Sequence, residues 1–106
     1  MLIRSCEPVA GEESIRARRG GKEGPVLLSG PGKVGAALAL DRSFNHHPLT
    51  EPGGLVVTTG VPPEGILVGP RVGIDYATPS DRDALLRWAI AGSRWVTVRS
   101  TLREAV

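Results

Sequence analysis

Apolar residues in the first part of the chain occur in short runs that glycine and proline interrupt, which indicates short elements joined by tight turns. Residues Leu2–Cys6 form the first run, and Pro8 closes it, so we expect a strand whose alternate side chains face opposite sides. Residues 11–19 begin with acids, end with bases and precede two glycines. That order suits the helix dipole and predicts a short helix.

A second helix is predicted after Gly30, because apolar residues then recur at helical spacing. These residues are Val34, Ala37, Leu38 and Leu40. The short apolar run 26–29 before the glycine is interpreted as a strand. Residues 45–54 are rich in turn formers and predict a surface loop.

The second half of the chain favours β-structure. Residues 55–59, 66–68 and 71–75 are strand candidates separated by proline and glycine. Two further apolar runs, 85–90 and 95–98, flank a short polar segment and predict a terminal hairpin. The second half of the chain is therefore expected to be mostly β.

The composition narrows the class of protein without identifying it. A length of 106 residues suits one compact domain, and the longest apolar runs fall well short of a membrane span. One cysteine, Cys6, excludes an intrachain disulfide, so a reducing compartment such as the cytoplasm is expected. Arginines far outnumber lysines among the 13 basic residues, and the pI is near 9.2, which is compatible with an anionic partner such as nucleic acid.

Residues 30–35 satisfy the G-x-G-x-x-G dinucleotide pattern, but the expected context is missing. A turn-rich stretch follows the helix, and the strand candidate after it, 55–59, does not end in an acid that could bind ribose. Two interpretations of the glycine-rich segment stay open. It is either an anion site, where Lys33 adds charge to free amides, or a tight turn with a solvated lysine.

Arg4 and the pair of adjacent histidines can each be interpreted either as functional residues or as ordinary structural ones. Arg4 lies within an apolar run, where it either faces water beside Glu7 or points inward and needs a compensating partner. The adjacent pair His46 and His47 could suggest a metal, but neighbouring side chains diverge and no second ligand cluster is present. No metal site is therefore predicted.

Ordered blocks along most of the chain resemble the alkyladenine-type (3-methyladenine) DNA glycosylase family. These blocks are Leu2–Pro8, Gly30–Val34 with Ala37 and Leu38, Asp41–Asn45, Pro70–Ala77 and Leu86–Thr97. The resemblance implies a mixed α+β fold around a curved antiparallel sheet, of which residues 1–106 are the C-terminal part. The family's general-base glutamate and its base-replacing wedge belong to an N-terminal half that has no counterpart in these residues.

The resemblance also assigns roles to individual residues. Arg4 is similar to the family arginine that positions the attacking water, which would explain a charge in an apolar run. Val72 matches the residue whose backbone carbonyl holds that water, and Gly73 matches a glycine that leaves room for the base.

Three further residues match the family's DNA-binding positions. Gly32 and Lys33 correspond to a helix N-terminus that grips a phosphate. Arg42 stands where the family carries a basic phosphate contact.

The activity implied is hydrolysis of the N-glycosidic bond of a flipped, alkylated purine in double-stranded DNA, without metal or organic cofactor. The missing N-terminal half is an expected partner, and no membrane association is expected. Two alternatives remain. One is a DNA-binding remnant without catalysis, and the other is a dinucleotide-binding module based on residues 30–35.

Overall fold

The computed structural model describes residues 1–105, and the chain divides into two compact units, Met1–Val61 and Pro62–Val106. The first unit holds two α-helices and two 3₁₀ turns. The second holds a three-stranded sheet, one short helix and one 3₁₀ turn. Short helices with an antiparallel sheet confirm the α+β class.

The first helix, α1, spans Glu12–Arg18 and confirms the helix predicted over residues 11–19. Two glutamates occupy its first turn and two arginines its last, as the helix dipole favours. Beyond its end, Gly21 has φ 79°, and its N–H donates to the carbonyl oxygen of Arg16 at 2.8 Å. A left-handed glycine with such a bond is a common way to end a helix.

The second helix, α2, spans Pro31–Ala37 and is shorter than the apolar spacing suggested. Ala39 has a positive φ of 55°, so the chain has already left the helix before Leu40. The core of this unit is aliphatic. Its buried side chains are Ile15, Leu27, Leu28, Val34 and Ala37.

The strand predicted over Leu2–Cys6 is wrong in extent, because only Ser5 forms a bridge, and its partner is Ser29. The Cys6 N–H also donates to the carbonyl oxygen of Leu28 at 3.2 Å. The reason lies in the opposite segment. In the antiparallel register of Ser5 with Ser29, residues 2–4 would face residues 30–32, where α2 begins at Pro31, and the residues after Cys6 would face the 3₁₀ helix Gly24–Leu27. A wound segment offers no extended backbone for a longer ladder.

This arrangement also removes the dinucleotide-binding interpretation of residues 30–35. The glycine-rich segment does open a helix, but a 3₁₀ helix and a single bridge residue precede it. Within residues 1–105 all strand pairs are antiparallel, whereas the dinucleotide fold requires a parallel βαβ unit.

The sheet of the second unit has the strand order β2-β1-β3. Strand β1 spans Ile66–Gly69, β2 spans Arg87–Ile90 and β3 spans Arg103–Glu104. Both neighbours run antiparallel to β1, with Val68 opposite Trp88 on one side and Arg103 on the other. The short helix α3, Pro79–Arg82, lies in the connection between β1 and β2.

Only one of the three strand candidates that follow the loop is confirmed, the one at 66–68. Residues 55–59 and 71–75 contain no strand. The predicted hairpin is also wrong, because residues 87–90 pair with β1 rather than with 95–98. Trp95 is buried in an irregular segment, and the residues that complete the sheet are Arg103 and Glu104.

Candidate functional site

Arg4 is half-buried beside the bridge that joins Ser5 to Ser29. Its Nε is shielded from water and makes no hydrogen bond within residues 1–105. The described residues contain no ion pair between Arg4 and Glu7. A shielded guanidinium N–H without an acceptor is costly. The Nε of Arg16 is in the same state.

Gly32 and Lys33 lie in the first turn of α2. Gly32 is exposed and Lys33 is half-buried. The Lys33 Cδ lies 3.8 Å from the position that a Cβ would occupy on Gly30, so the lysine stem packs over that glycine. The Val34 N–H already donates to the Gly30 carbonyl oxygen at 2.9 Å, which leaves the two preceding amides as the candidates for an external anion.

Arg42 is exposed at the start of the 3₁₀ turn Arg42–Phe44. Asp41 caps this turn, since its carboxylate accepts a hydrogen bond from the Ser43 N–H at 2.9 Å and another from the Ser43 hydroxyl. These two bonds, the hydroxyl bond first, lower the pKa of Asp41 below its ordinary value. The capped turn gives Arg42 a defined backbone position and leaves its side chain in solvent.

Val72 and Gly73 belong to the second unit, in the connection between β1 and α3. Val72 is half-buried, whereas Gly73 is exposed with φ 81°. No atom lies within 4 Å of the point where a Cβ would stand on Gly73, so open space adjoins it. The connection is anchored by Arg71, whose Nη2 donates to the Asp81 carbonyl oxygen at 3.1 Å.

Of the two adjacent histidines, His47 makes local contacts. The ring of His47 lies 5.4 Å from that of Phe44, and its Nδ1 is 2.7 Å from the Pro48 carbonyl oxygen. Within the described residues 1–105, no group of three His, Cys, Asp or Glu side chains is placed to hold a metal ion. In the same part of the chain, no helix has the length and apolar character needed to cross a bilayer.

Sequence reasoning missed Arg87, a buried arginine in β2. Its guanidinium donates to the carbonyl oxygen of Val98 at 2.9 Å and also to that of Thr97. The signal was available, since Arg87 interrupts an apolar run as Arg4 does. Both of these bonds are to backbone of its own unit, and through them Arg87 holds the loop around residues 97–98.

Comparison with known families shows which protein family the chain belongs to. The sequence model of the family described as methylpurine-DNA glycosylase (MPG) matches residues 1–94. The chain belongs to this family. The resemblance of the sequence blocks to 3-methyladenine DNA glycosylases is thereby confirmed.

Individual relatives of this methylpurine-DNA glycosylase family chain come from bacteria and plants. A Nitrosococcus oceani protein named as a 3-methyladenine DNA glycosylase is 61% identical over 103 residues, which are 97% of this chain and 51% of that protein. The DNA-3-methyladenine glycosylase of Arabidopsis thaliana is 53% identical over 106 residues, covering 97% of this chain and 42% of its own. The chain therefore spans about half the length of the curated relatives it matches.

Proposed function

We propose that these residues are the C-terminal part of a DNA-repair glycosylase that rotates an alkylated purine, such as 3-methyladenine, out of duplex DNA and hydrolyses its N-glycosidic bond. The observation that carries the proposal is the family match over residues 1–94, together with 61% identity to the Nitrosococcus oceani relative. The relative's name states the base, and the flipped geometry follows from the need to reach a bond inside the stack.

In the proposed reaction a water oxygen bonds to C1′ of the sugar while the bond from C1′ to the purine nitrogen breaks. The electron pair of the broken bond stays with the purine, and a general base takes the proton of the water. We assign Arg4 to orienting that water, with a carboxylate from the family's other half as the base. The Nε of Arg4, which is shielded and makes no hydrogen bond within the described residues, is in keeping with this assignment.

For the backbone carbonyl of Val72 the proposed part in holding the water rests on the family resemblance alone, and Gly73 is proposed to leave space for the base. The open space beside Gly73 supports its part of the assignment. Lys33 and Arg42 are proposed to contact phosphates of double-stranded DNA, for which their positive charge is suited, and Arg42 is exposed whereas Lys33 is half-buried.

The decisive experiment is base excision from a duplex that carries 3-methyladenine, followed by cleavage of abasic sites and gel analysis. We expect no excision by the 106 residues alone, because general-base assistance is typically worth about 10² to 10⁴ in rate. Addition of the half of the Nitrosococcus oceani relative that this chain does not match should produce excision, and Arg4→Ala in that complex should reduce it.

Two results would contradict the proposal. Efficient excision by the 106 residues alone would show that the base does not come from the other half. A complex that forms and binds duplex DNA yet excises nothing would instead favour the DNA-binding remnant. The matched control is Lys22→Ala, which removes an exposed positive charge outside the assigned positions and should leave the excision rate unchanged.

A further inference from the structure

The charges of the second unit are separated along the chain. Between Asp83 and Glu104 the sequence has four arginines and no lysine, aspartate or glutamate. Residues 62–83, in contrast, have four acids against two arginines. Positive charge is therefore concentrated in the last part of the unit, which favours an anionic partner there. The four arginines are Arg87, Arg94, Arg99 and Arg103.

Two arginines of this unit differ from the rest in what surrounds their charge. Arg87 is buried and donates to loop carbonyl oxygens, and Arg82 pairs with Asp83 at 2.9 Å. Arg94 and Arg99 are both exposed. Within residues 1–105 neither of them forms an ion pair with a carboxylate. Their charges therefore stay available to an external anion.

The guanidinium of Arg94 is held in place by the residue that follows it. Its Cζ lies 5.2 Å from the centre of the Trp95 ring, a distance at which a cation is attracted to an aromatic face. Trp95 is only 6% exposed, so the ring itself is fixed by its packing. The exposed guanidinium thus has a preferred position at the surface of the unit.

The guanidinium of Arg99 is held by the backbone of the same segment. Its Nε donates to the Val96 carbonyl oxygen at 3.1 Å, and its Nη2 donates to the Ser93 carbonyl oxygen at 2.8 Å. Ser93 directly precedes Arg94, so both guanidiniums belong to one turn, residues 93–99, which we call the arginine turn. The two bonds use one edge of the Arg99 guanidinium and leave Nη1 for an external acceptor.

We infer that the arginine turn binds phosphates of duplex DNA in the complete protein, in addition to the contacts proposed for Lys33 and Arg42. Two guanidiniums in one turn without a carboxylate repel each other, and a phosphate relieves that repulsion. The planar fork of an arginine also matches the oxygens of a phosphate. Because contacts within the turn already hold both side chains, binding costs them little rotamer freedom.

Duplex DNA is the source of phosphate that the family favours, since the chain matches the methylpurine-DNA glycosylase model. The choice of DNA rests on the proposed function, whereas the geometry of the arginine turn does not. The positions that the family resemblance assigned to DNA binding, Gly32, Lys33 and Arg42, all belong to the first unit. The arginine turn adds a contact from the second unit.

The test uses the complex of this chain with the other half of the Nitrosococcus oceani relative. Fluorescence anisotropy measures its affinity for a short undamaged duplex at several salt concentrations. Arg94→Gln and Arg99→Gln should each weaken binding about threefold or more. The double variant should lower the slope of log K against log salt by about 0.9 or more. Arg94→Lys keeps the charge but loses the fork, so it should keep the slope and bind less tightly than the parent.

Arg82→Gln is the matched control. It removes a positive charge from the same unit, but the guanidinium of Arg82 pairs with Asp83, so the affinity and the salt slope should stay those of the parent. Circular dichroism of each variant reports on the fold. Arg94→Gln removes none of the hydrogen bonds that shape the turn, so it tests the inference even where Arg99→Gln disturbs the backbone.

Three results would overturn the inference. The first is a double variant with the salt slope of the parent while Lys33→Ala lowers it, which would leave the proposed function in place. The second is an Arg94→Lys variant that binds as tightly as the parent, which would indicate diffuse attraction instead of a held fork. The third is polyglutamate that binds the parent as tightly as the duplex does but does not bind the double variant, which would make an acidic polypeptide the partner.

An excision assay on the same samples separates this inference from the proposed function. Single-turnover excision at saturating protein should be unchanged in the double variant, because neither arginine is assigned to the reacting atoms. A complex that excises no 3-methyladenine, and whose salt slope still falls in the double variant, would refute the proposed function and support the arginine turn.

Discussion

The guanidinium of Arg87 donates from Nη1 to the carbonyl oxygen of Val98 at 2.9 Å, and Val98 itself has a positive φ of 49°. This bond joins a buried strand residue to a loop residue in a conformation that valine rarely adopts. We expect Arg87→Met to lower the free energy of unfolding by about 1–3 kcal/mol, because the loop carbonyl oxygens lose their donor. Chemical denaturation followed by fluorescence measures this loss.

Arg82→Met is the control for that substitution. Arg82 is half-exposed and pairs with the adjacent, exposed Asp83 at 2.9 Å. Removal of a solvent-exposed pair should change the free energy of unfolding by less than about 1 kcal/mol. An equal loss for both variants would show that the bonds of Arg87 to the loop do not stabilise the unit.

Val98→Gly tests the other partner of the same bond. Glycine reaches positive φ without the steric cost of about 1–2 kcal/mol that a side chain meets there, although it loses more freedom on folding. We expect the variant to be at least as stable as the parent, with Val98→Ala less stable than Val98→Gly. Thermal denaturation of the three proteins side by side gives their order of stability. A glycine variant clearly less stable than the parent would show that the positive φ of Val98 does not strain the chain.

Gly69→Ala should destabilise the second unit. The added Cβ would lie 2.5 Å from the Thr101 carbonyl oxygen and 3.0 Å from the Leu102 Cδ2, and the first of these atoms is backbone. Overpacking of this kind costs about 1–3 kcal/mol. Gly60→Ala is the control, because nothing lies within 4 Å of its added Cβ. Urea denaturation should give a lower midpoint for Gly69→Ala than for Gly60→Ala. Equal midpoints would show that the backbone around Thr101 moves to accommodate the added Cβ at little cost.

Local patterns in the sequence were sufficient for the elements that local physics determines. The order of acids and bases with terminal glycines located α1, and a short apolar run located β1. The strand at Leu2–Cys6 failed because its length depends on a partner segment, and that segment is helical on both sides of Ser29, with the 3₁₀ helix Gly24–Leu27 before it and α2 after it. The periodicity of apolar residues in one segment does not reveal the backbone conformation of the distant segment with which it would pair.

The missed hairpin has a similar cause. Strand β3 consists of Arg103 and Glu104, two charged residues with no apolar alternation to mark them. Trp95, in contrast, looked like a strand residue but is buried in an irregular segment. The sequence placed Arg4 in an apolar run, and the structure added that its Nε is shielded, which only packing can decide.

The Asp41 carboxyl should titrate below its ordinary value. Its pKa is lowered by the hydroxyl bond and then by the backbone bond from Ser43. The stabilisation from these bonds is therefore present above the ordinary carboxyl pKa and is lost as the pH falls through the lowered one. Ser43→Ala should raise the pKa of Asp41 in a carboxyl NMR titration. The pKa of Asp83, held low by Arg82, should not move and serves as reference.

The salt dependence of DNA binding should separate Lys33 and Arg42 from Arg4. The protein to be measured is the complex of this chain with the other half. Lys33→Ala and Arg42→Ala each remove a proposed phosphate contact, so both should weaken binding to damaged and undamaged duplexes alike. Each should lower the slope of log K against log salt by about 0.9. Fluorescence anisotropy at several salt concentrations measures the slopes.

Arg4→Ala should give the reverse pattern, because its proposed partner is the attacking water and not the DNA backbone. Single-turnover excision should fall, while nonspecific affinity and its salt slope stay nearly unchanged. Lys22→Ala, the exposed-charge control, should alter neither quantity. Two outcomes would refute these roles: unchanged salt slopes for the Lys33 and Arg42 variants, or a salt slope lowered by Arg4→Ala. Neither outcome would change the family assignment, because membership depends on residues 1–94 as a whole.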